Sequence, residues 1–226
     1  MKATKTKEAQ YQEHVDLRDE IGLIPLGLRA SATWYHDPRR LTFVLARYKF
    51  VSKMLSGKQK VLEIGCGDGF ATRIVQQEVG SLYAIDFDPV FVQDTLDRMD
   101  EKWKFEYWVH DMLSGPVEGT YDAAFALDVI EHIDKEDEHV FMSNIVQSLD
   151  DNGVLIIGLP SIQSQVYASE GSKAGHVNCK DHKELKDLML QYFHNVFIFS
   201  MNDEVVHTGF YPMAHYLFAL CVGKRK

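Results

Sequence analysis

Apolar residues recur at two spacings along this chain, and the elements change where the spacing changes. Leu41, Val44, Leu45, Tyr48, Val51 and Leu55 repeat at helical intervals, which predicts a helix with one apolar face. Asp37-Pro38 supplies a cap and first-turn pair ahead of it, and Arg40, Arg47, Lys49 and Lys53 occupy its other faces. After Ser56-Gly57 short apolar runs take over. KVLEI, SLYAI, KFEYWVH, YDAAFAL and GVLIIGL read as strands. Helices are predicted at about 69–78, 89–99 and 135–149, and the cluster Asp150-Asp151-Asn152-Gly153 reads as a turn. Strands alternating with helices predict a parallel sheet covered on both faces, a three-layer α/β/α domain.

The two ends depart from that rhythm. Residues 1–20 are polar and without clear period, so residues 1–36 are read as a partly flexible arm before a domain over 37–226. Ser161 to Lys180 is a polar connection of the length that marks lids and binding loops. A helix (His182 to Tyr192), a strand (Asn195 to Ser200) and a last strand (Tyr216 to Val222) follow. The insert from Met201 to His215 is too short for a crossover helix, so those two strands should be antiparallel neighbours. Residues 161–215 are thus expected to be a lid or cap over a ligand site.

Composition narrows the function classes. The 226 residues are 46% apolar and 25% charged, within the range of ordinary globular proteins. A net charge of −9 disfavours non-specific nucleic-acid binding, which needs a cationic field. No apolar run approaches a membrane span or a signal peptide. Cys66, Cys179 and Cys221 are widely spaced and cannot all pair, the pattern of a reduced, cytoplasmic protein.

The most informative stretch is VLEIGCGDGF, Val61 to Phe70. A dinucleotide fingerprint has G-x-G-x-x-G, but Phe70 stands where its third glycine belongs. A Walker loop needs Gly-Lys-Ser/Thr, which is absent. Glu63, two residues before Gly65, would repel a phosphate and suit a cation. Asp86 follows the apolar Tyr83-Ala84-Ile85 and is placed to take the hydroxyls of a ribose, whereas Asp88 before Pro89 reads as a helix cap. Asp111-Met112 follows the next strand, with a carboxylate for an adenine amino group and an apolar side chain for its ring.

In this order, Glu63 to Gly69, Asp86, Asp111-Met112, Ala126 to His132 and LDDNGVLIIGLP resemble the class I S-adenosylmethionine-dependent methyltransferases over about residues 58–160. The resemblance implies a Rossmann-like, seven-stranded sheet with an antiparallel last strand. It implies that Glu63 and the backbone of Gly65, Cys66, Gly67 and Gly69 hold the methionine end of S-adenosylmethionine. Asp86 would then hold the ribose, Asp111 and Met112 the adenine, and Phe87, Leu127 and Asp128 would line the same site.

The acceptor half is less legible. The segment LDVIEH stands where base-methylating enzymes carry an Asn/Asp-Pro-Pro-Tyr/Phe motif, so a small organic acceptor is expected, of quinone-precursor, natural-product or sugar type. Arg39, Arg40 and Arg47 suit an anionic acceptor or simply a solvated helix face. His176 in the lid, His132 and His207 are the candidate proton acceptors. His176, Cys179 and His182 are spaced like zinc ligands but lack a fourth, and Asp128 lacks companions for magnesium; no metal is expected. A non-catalytic S-adenosylmethionine sensor or scaffold is the alternative reading, and a homodimer is compatible with the arm.

Overall fold

The computed structural model describes residues 5–225. In chain order its elements are α1 (Gln12–Ile21), α2 (Leu28–His36), α3 (Arg39–Met54), β1 (Lys60–Ile64), α4 (Thr72–Gln76), β2 (Ser81–Asp86), α5 (Pro89–Arg98), β3 (Glu106–Val109) and β4 (Tyr121–Leu127). There follow α6 (Glu138–Ser148), β5 (Leu149–Pro160), α7 (Glu170–Gly175), α8 (His182–Met189), β6 (Phe193–Asn202), β7 (Val205–His207) and β8 (Tyr216–Lys224). The strands form one sheet in the order β3-β2-β1-β4-β5-β8-β6-β7. Strands β3, β2, β1, β4 and β5 are parallel. Strand β8 is antiparallel to both β5 and β6, as the short insert requires. The sheet has eight strands rather than the expected seven: β7, inside the 201–215 insert, folds back onto the edge of β6.

Successive side chains of a strand point to opposite faces, and each face has its own core. Leu62 and Ile64 of β1 pack with Phe141, Met142 and Ile145 of α6 and with Leu185 and Leu188 of α8. Val61 packs on the other side with Tyr48, Val51 and Leu55 of α3, Val75 of α4 and Val92 of α5. Phe125 of β4 is fully buried in that second core, with the Tyr48 ring edge-on at 5.9 Å. Its truncation leaves a large cavity, so Phe125→Ala should cost about 3–5 kcal/mol in denaturant unfolding. A loss below about 1 kcal/mol would mean that this core is not closed as described.

Four local expectations are corrected. Helix α4 is only five residues, Thr72–Gln76, and Gly69, expected to begin it, is held at positive φ in the preceding turn and lies outside it. The Asp150–Gly153 cluster is absorbed into β5 as an irregularity opposite Tyr121 and Ala123. The Asp37 carboxylate does not cap α3; it accepts from Arg39 Nε at 2.9 Å. Residues expected to form a loose arm form α1 and α2 instead, and residues 1–4 of that segment lie outside the described residues. Helix α1 buries no side chain, but α2 is docked. Its Ala30 and Leu28 N–H groups donate to Asp68 Oδ2 at 2.7 Å and Asp94 Oδ2 at 3.3 Å, carboxylates placed at the positive end of a helix. Asp88 caps α5 as expected, accepting from Val90 N–H at 2.8 Å. The cysteines are free thiols, and no helix among the described residues is long and apolar enough to cross a membrane.

Candidate functional site

The chain runs from β1 outward through β2 to β3, then returns to lay β4 and β5 on the other side of β1. Open parallel sheets bind ligands beyond the carboxyl ends of the strands at such a reversal. The glycine turn follows β1, Asp86 ends β2, Asp111 follows β3 and Asp128 follows β4, so all four reach one edge.

The three glycines differ in purpose. All have positive φ (73°, 61° and 63° at Gly65, Gly67 and Gly69), a region that side chains disfavour. A Cβ on Gly65 would also lie 2.4 Å from Val129 Cγ2, and one on Gly69 would lie 2.9 Å from Thr95 Cγ2. A Cβ on Gly67 would meet nothing within 4 Å, so that backbone faces open space. The Gly67 N–H donates to Asp86 Oδ2 at 2.8 Å, and the Asp88 N–H donates to Oδ1 at 2.9 Å. Two backbone donors therefore fix a nearly buried carboxylate at the cleft. Gly65, Gly67, Asp86, Phe87, Asp111 and Asp128 line a cavity of about 540 Å³, whose apolar wall comes from Phe91, Leu113, Val129 and Ile133. Asp111 Oδ1 accepts from Leu113 N–H at 2.8 Å. Met112, expected against the adenine ring, is instead turned into the core, where Asn144 Nδ2 donates to its carbonyl at 2.6 Å; Leu113 takes its place at the cavity.

Glu63 is 1% exposed, and its Oε1 accepts from Tyr48 O–H at 2.6 Å while Oε2 is buried without a partner. Burial pushes its carboxyl up to about 7, against the pull of the Tyr48 hydrogen bond. Tyr48 also lines a hollow of about 40 Å³ under the glycine turn, together with Arg29, Cys66 and Leu127. An unpartnered buried carboxylate oxygen, an open Gly67 backbone and a pinned Asp86 fit the ammonium, the chain and the ribose of S-adenosylmethionine.

A second cavity of about 450 Å³ adjoins the first and shares Arg29, Asp128 and His132 with it. Arg29, Arg39, Arg40 and Arg47 line it, opposite Glu131 and His176. Arg47 Nη1 donates to both Asp128 oxygens, at 2.9 and 2.7 Å, and its guanidinium lies 3.8 Å from the centre of the Tyr216 ring. Asp128 itself has φ 57°, an uncommon backbone state that aims its carboxylate at this junction. Burial, with Asp128 nearby, holds the Glu131 carboxyl well above the usual carboxylate range. Four guanidinium groups thus meet three carboxyl groups, those of Asp37, Asp128 and Glu131, in the lining of this cavity. Burial and His132 lower the His176 pKa, which keeps it neutral near pH 7.

His207 lies on the outer strand β7, where its Nδ1 accepts from Gly209 N–H at 2.9 Å; it lines neither cavity. Sequence patterns single out Glu131 only as half of a Glu-His pair and give no sign of Arg29. The latter reaches both cavities because α2 docks on Asp68 and Asp94.

Residues 61–153 match a family model described as a methyltransferase domain. No curated protein sequence matches the chain. Solved structures similar to it include a chain of the complex between the Haloferax volcanii Trm112 methyltransferase activator and a methyltransferase, at 16% identity and TM-score 0.65, covering 85% of this chain and 97% of that one. DhpI in complex with SAH matches at 14% identity and TM-score 0.65, over 88% of this chain and 93% of that one. The N-methyltransferase NodS from Bradyrhizobium japonicum WM9, in complex with S-adenosyl-L-homocysteine, matches at 16% identity and TM-score 0.58, over 82% and 86%. At these identities the likeness is one of fold.

Proposed function

We propose that the chain is a class I, S-adenosylmethionine-dependent methyltransferase, a reading supported by the methyltransferase-domain match over residues 61–153, and that it transfers the methyl group to an oxygen or nitrogen of a small anionic organic acceptor, of quinone-precursor, natural-product or sugar type. The observation that carries this reading is the junction of the two cavities at Arg29, Asp128 and His132, which lets a molecule among the arginines reach a methyl held in the glycine cleft.

When bound, S-adenosylmethionine supplies a methyl already activated by its positive sulfur. What remains for the chain's residues is to orient the partners, exclude water and take a proton from a hydroxyl acceptor. Glu63 receives the ammonium, Asp86 the ribose hydroxyls and Asp111 the adenine edge, with Phe87 and Leu113 against the ring. Arg39 and Arg40, both largely exposed at the second cavity, orient the acceptor's anionic group. His176 and His132 face the same cavity and draw off a hydroxyl proton.

Arginine recognition has a kinetic signature. Arg40→Ala should raise the acceptor KM roughly tenfold and leave kcat nearly unchanged, the pattern of a lost charge-assisted contact made equally in ground and transition states. Steady-state kinetics at two salt concentrations would measure it. An unchanged KM would remove the anionic acceptor.

A further inference from the structure

We propose that Glu131, His132 and His176 bind a divalent first-row transition-metal ion, open to an acceptor oxygen on its remaining positions. One ligand atom from each residue already lies within 4.8 Å of the other two. Side-chain rotation suffices to bring such atoms onto an ion held at about 2.1 Å.

Glu131 is the decisive observation. It stands in the single 3-10 turn Ile130–His132 after β4, is 0% exposed, and has both carboxylate oxygens buried with no hydrogen-bond partner. A buried carboxyl group left unsatisfied on both oxygens is costly, and burial alone gives it no purpose. A cation between it and the imidazoles would satisfy it.

The imidazoles are already oriented to receive such an ion. His132 Nδ1 lies 2.8 Å from the Gly175 carbonyl oxygen, and His176 Nδ1 lies 2.8 Å from Gln165 Oε1. Both partners are acceptors, so each Nδ1 carries a hydrogen, which leaves Nε2 as the nitrogen available to ligate an ion. A histidine whose far nitrogen donates to a carbonyl is the usual form of a metal ligand, and the hydrogen bond fixes its ring. The ring centroids are 5.2 Å apart. Two imidazole nitrogens and one carboxylate suit Mn²⁺, Fe²⁺, Co²⁺ or Zn²⁺ better than Mg²⁺ or Ca²⁺, which take oxygen ligands.

Place gives the ion its role, which rests on the methyl-transfer reading, whereas its binding does not. All three ligands line the arginine cavity, and His132 also lines the cofactor cavity. An acceptor hydroxyl on the ion becomes more acidic and releases its proton to solvent. The resulting oxyanion forms the new O–C bond as the C–S bond breaks, and that electron pair stays on sulfur to give neutral S-adenosylhomocysteine.

The test is a Co²⁺ titration of the EDTA-treated full-length protein, following visible d–d absorbance. One equivalent should bind with a saturable spectrum that Glu131→Gln and His176→Ala each abolish and His14→Ala, on exposed α1, preserves. Both variants should retain S-adenosylhomocysteine affinity, which shows that they are folded. No binding below millimolar Co²⁺, or binding that survives in both variants, overturns the site. Methyl transfer at an unchanged rate in metal-free protein overturns the ion's role and leaves the methyltransferase reading standing.

Discussion

Asp86→Ala should weaken S-adenosylhomocysteine binding by roughly 10²–10⁴-fold, because hydrogen bonds to a charged group are worth about 1.5–3 kcal/mol each and two ribose hydroxyls lose theirs. The carboxylate is already anchored by the N–H groups of Gly67 and Asp88, at 2.8 and 2.9 Å, so it meets the ligand without being reordered. Asp86→Asn preserves the shape and one acceptor but replaces the other with a donor that opposes a backbone N–H. Its loss should fall between that of alanine and wild type. Isothermal calorimetry reads both, with circular dichroism to confirm the fold. Wild-type affinity in Asp86→Ala would remove the ribose assignment and, with it, the orientation of the ligand in the cleft.

Glu63→Gln should separate binding from stability. The folded state holds the Glu63 proton up to about pH 7, against an ordinary value of 4.5. Between those values the native protein keeps a proton that the unfolded chain has lost. This residue therefore makes the ligand-free protein less stable as pH rises from about 4.5 to about 7, with a total of about 3 kcal/mol. Glutamine can still accept from Tyr48 O–H and carries no charge to desolvate. The difference in unfolding free energy between variant and wild type should therefore grow in the variant's favour across that window and then level off. Affinity for S-adenosylhomocysteine should move the other way, since the ammonium loses its anion. Wild-type protein should also release a proton on binding near pH 6, visible as a buffer-dependent calorimetric enthalpy, and Glu63→Gln should not. A variant that loses stability at pH 8 while keeping full affinity would show that Glu63 is a structural residue alone.

The cofactor half of this chain was legible because its requirements are local. A glycine turn, an acid closing the second strand and an acid after the third are each written within a few residues. The strand-helix alternation then carries them to one edge. Where local reading failed, the cause was tertiary. Met112 and Leu113 are adjacent, and only the packing of α6 decides which one faces the cavity. Residues 28–36 carry no local sign of where they dock, yet the carboxylates of Asp68 and Asp94 satisfy the first turn of α2 and bring Arg29 into the site. Glu131 carries no sign in the sequence that its oxygens are enclosed without partners. The three candidate histidines belong to different places: His132 and His176 meet across the lid, with rings 5.2 Å apart, while His207 stays on β7.

The most direct test of the central claim is the destination of the methyl group. Protein incubated with S-adenosylmethionine labelled on its methyl group is offered cell extract separated into small-molecule and macromolecular fractions. Label should enter the small-molecule fraction, in an anionic compound one methylene heavier than its precursor by mass spectrometry, and Asp86→Ala should abolish the transfer. Label in nucleic acid or protein alone would contradict the small-acceptor reading. Tight S-adenosylhomocysteine binding with no label transferred to either fraction would mean that the chain senses the cofactor rather than consumes it.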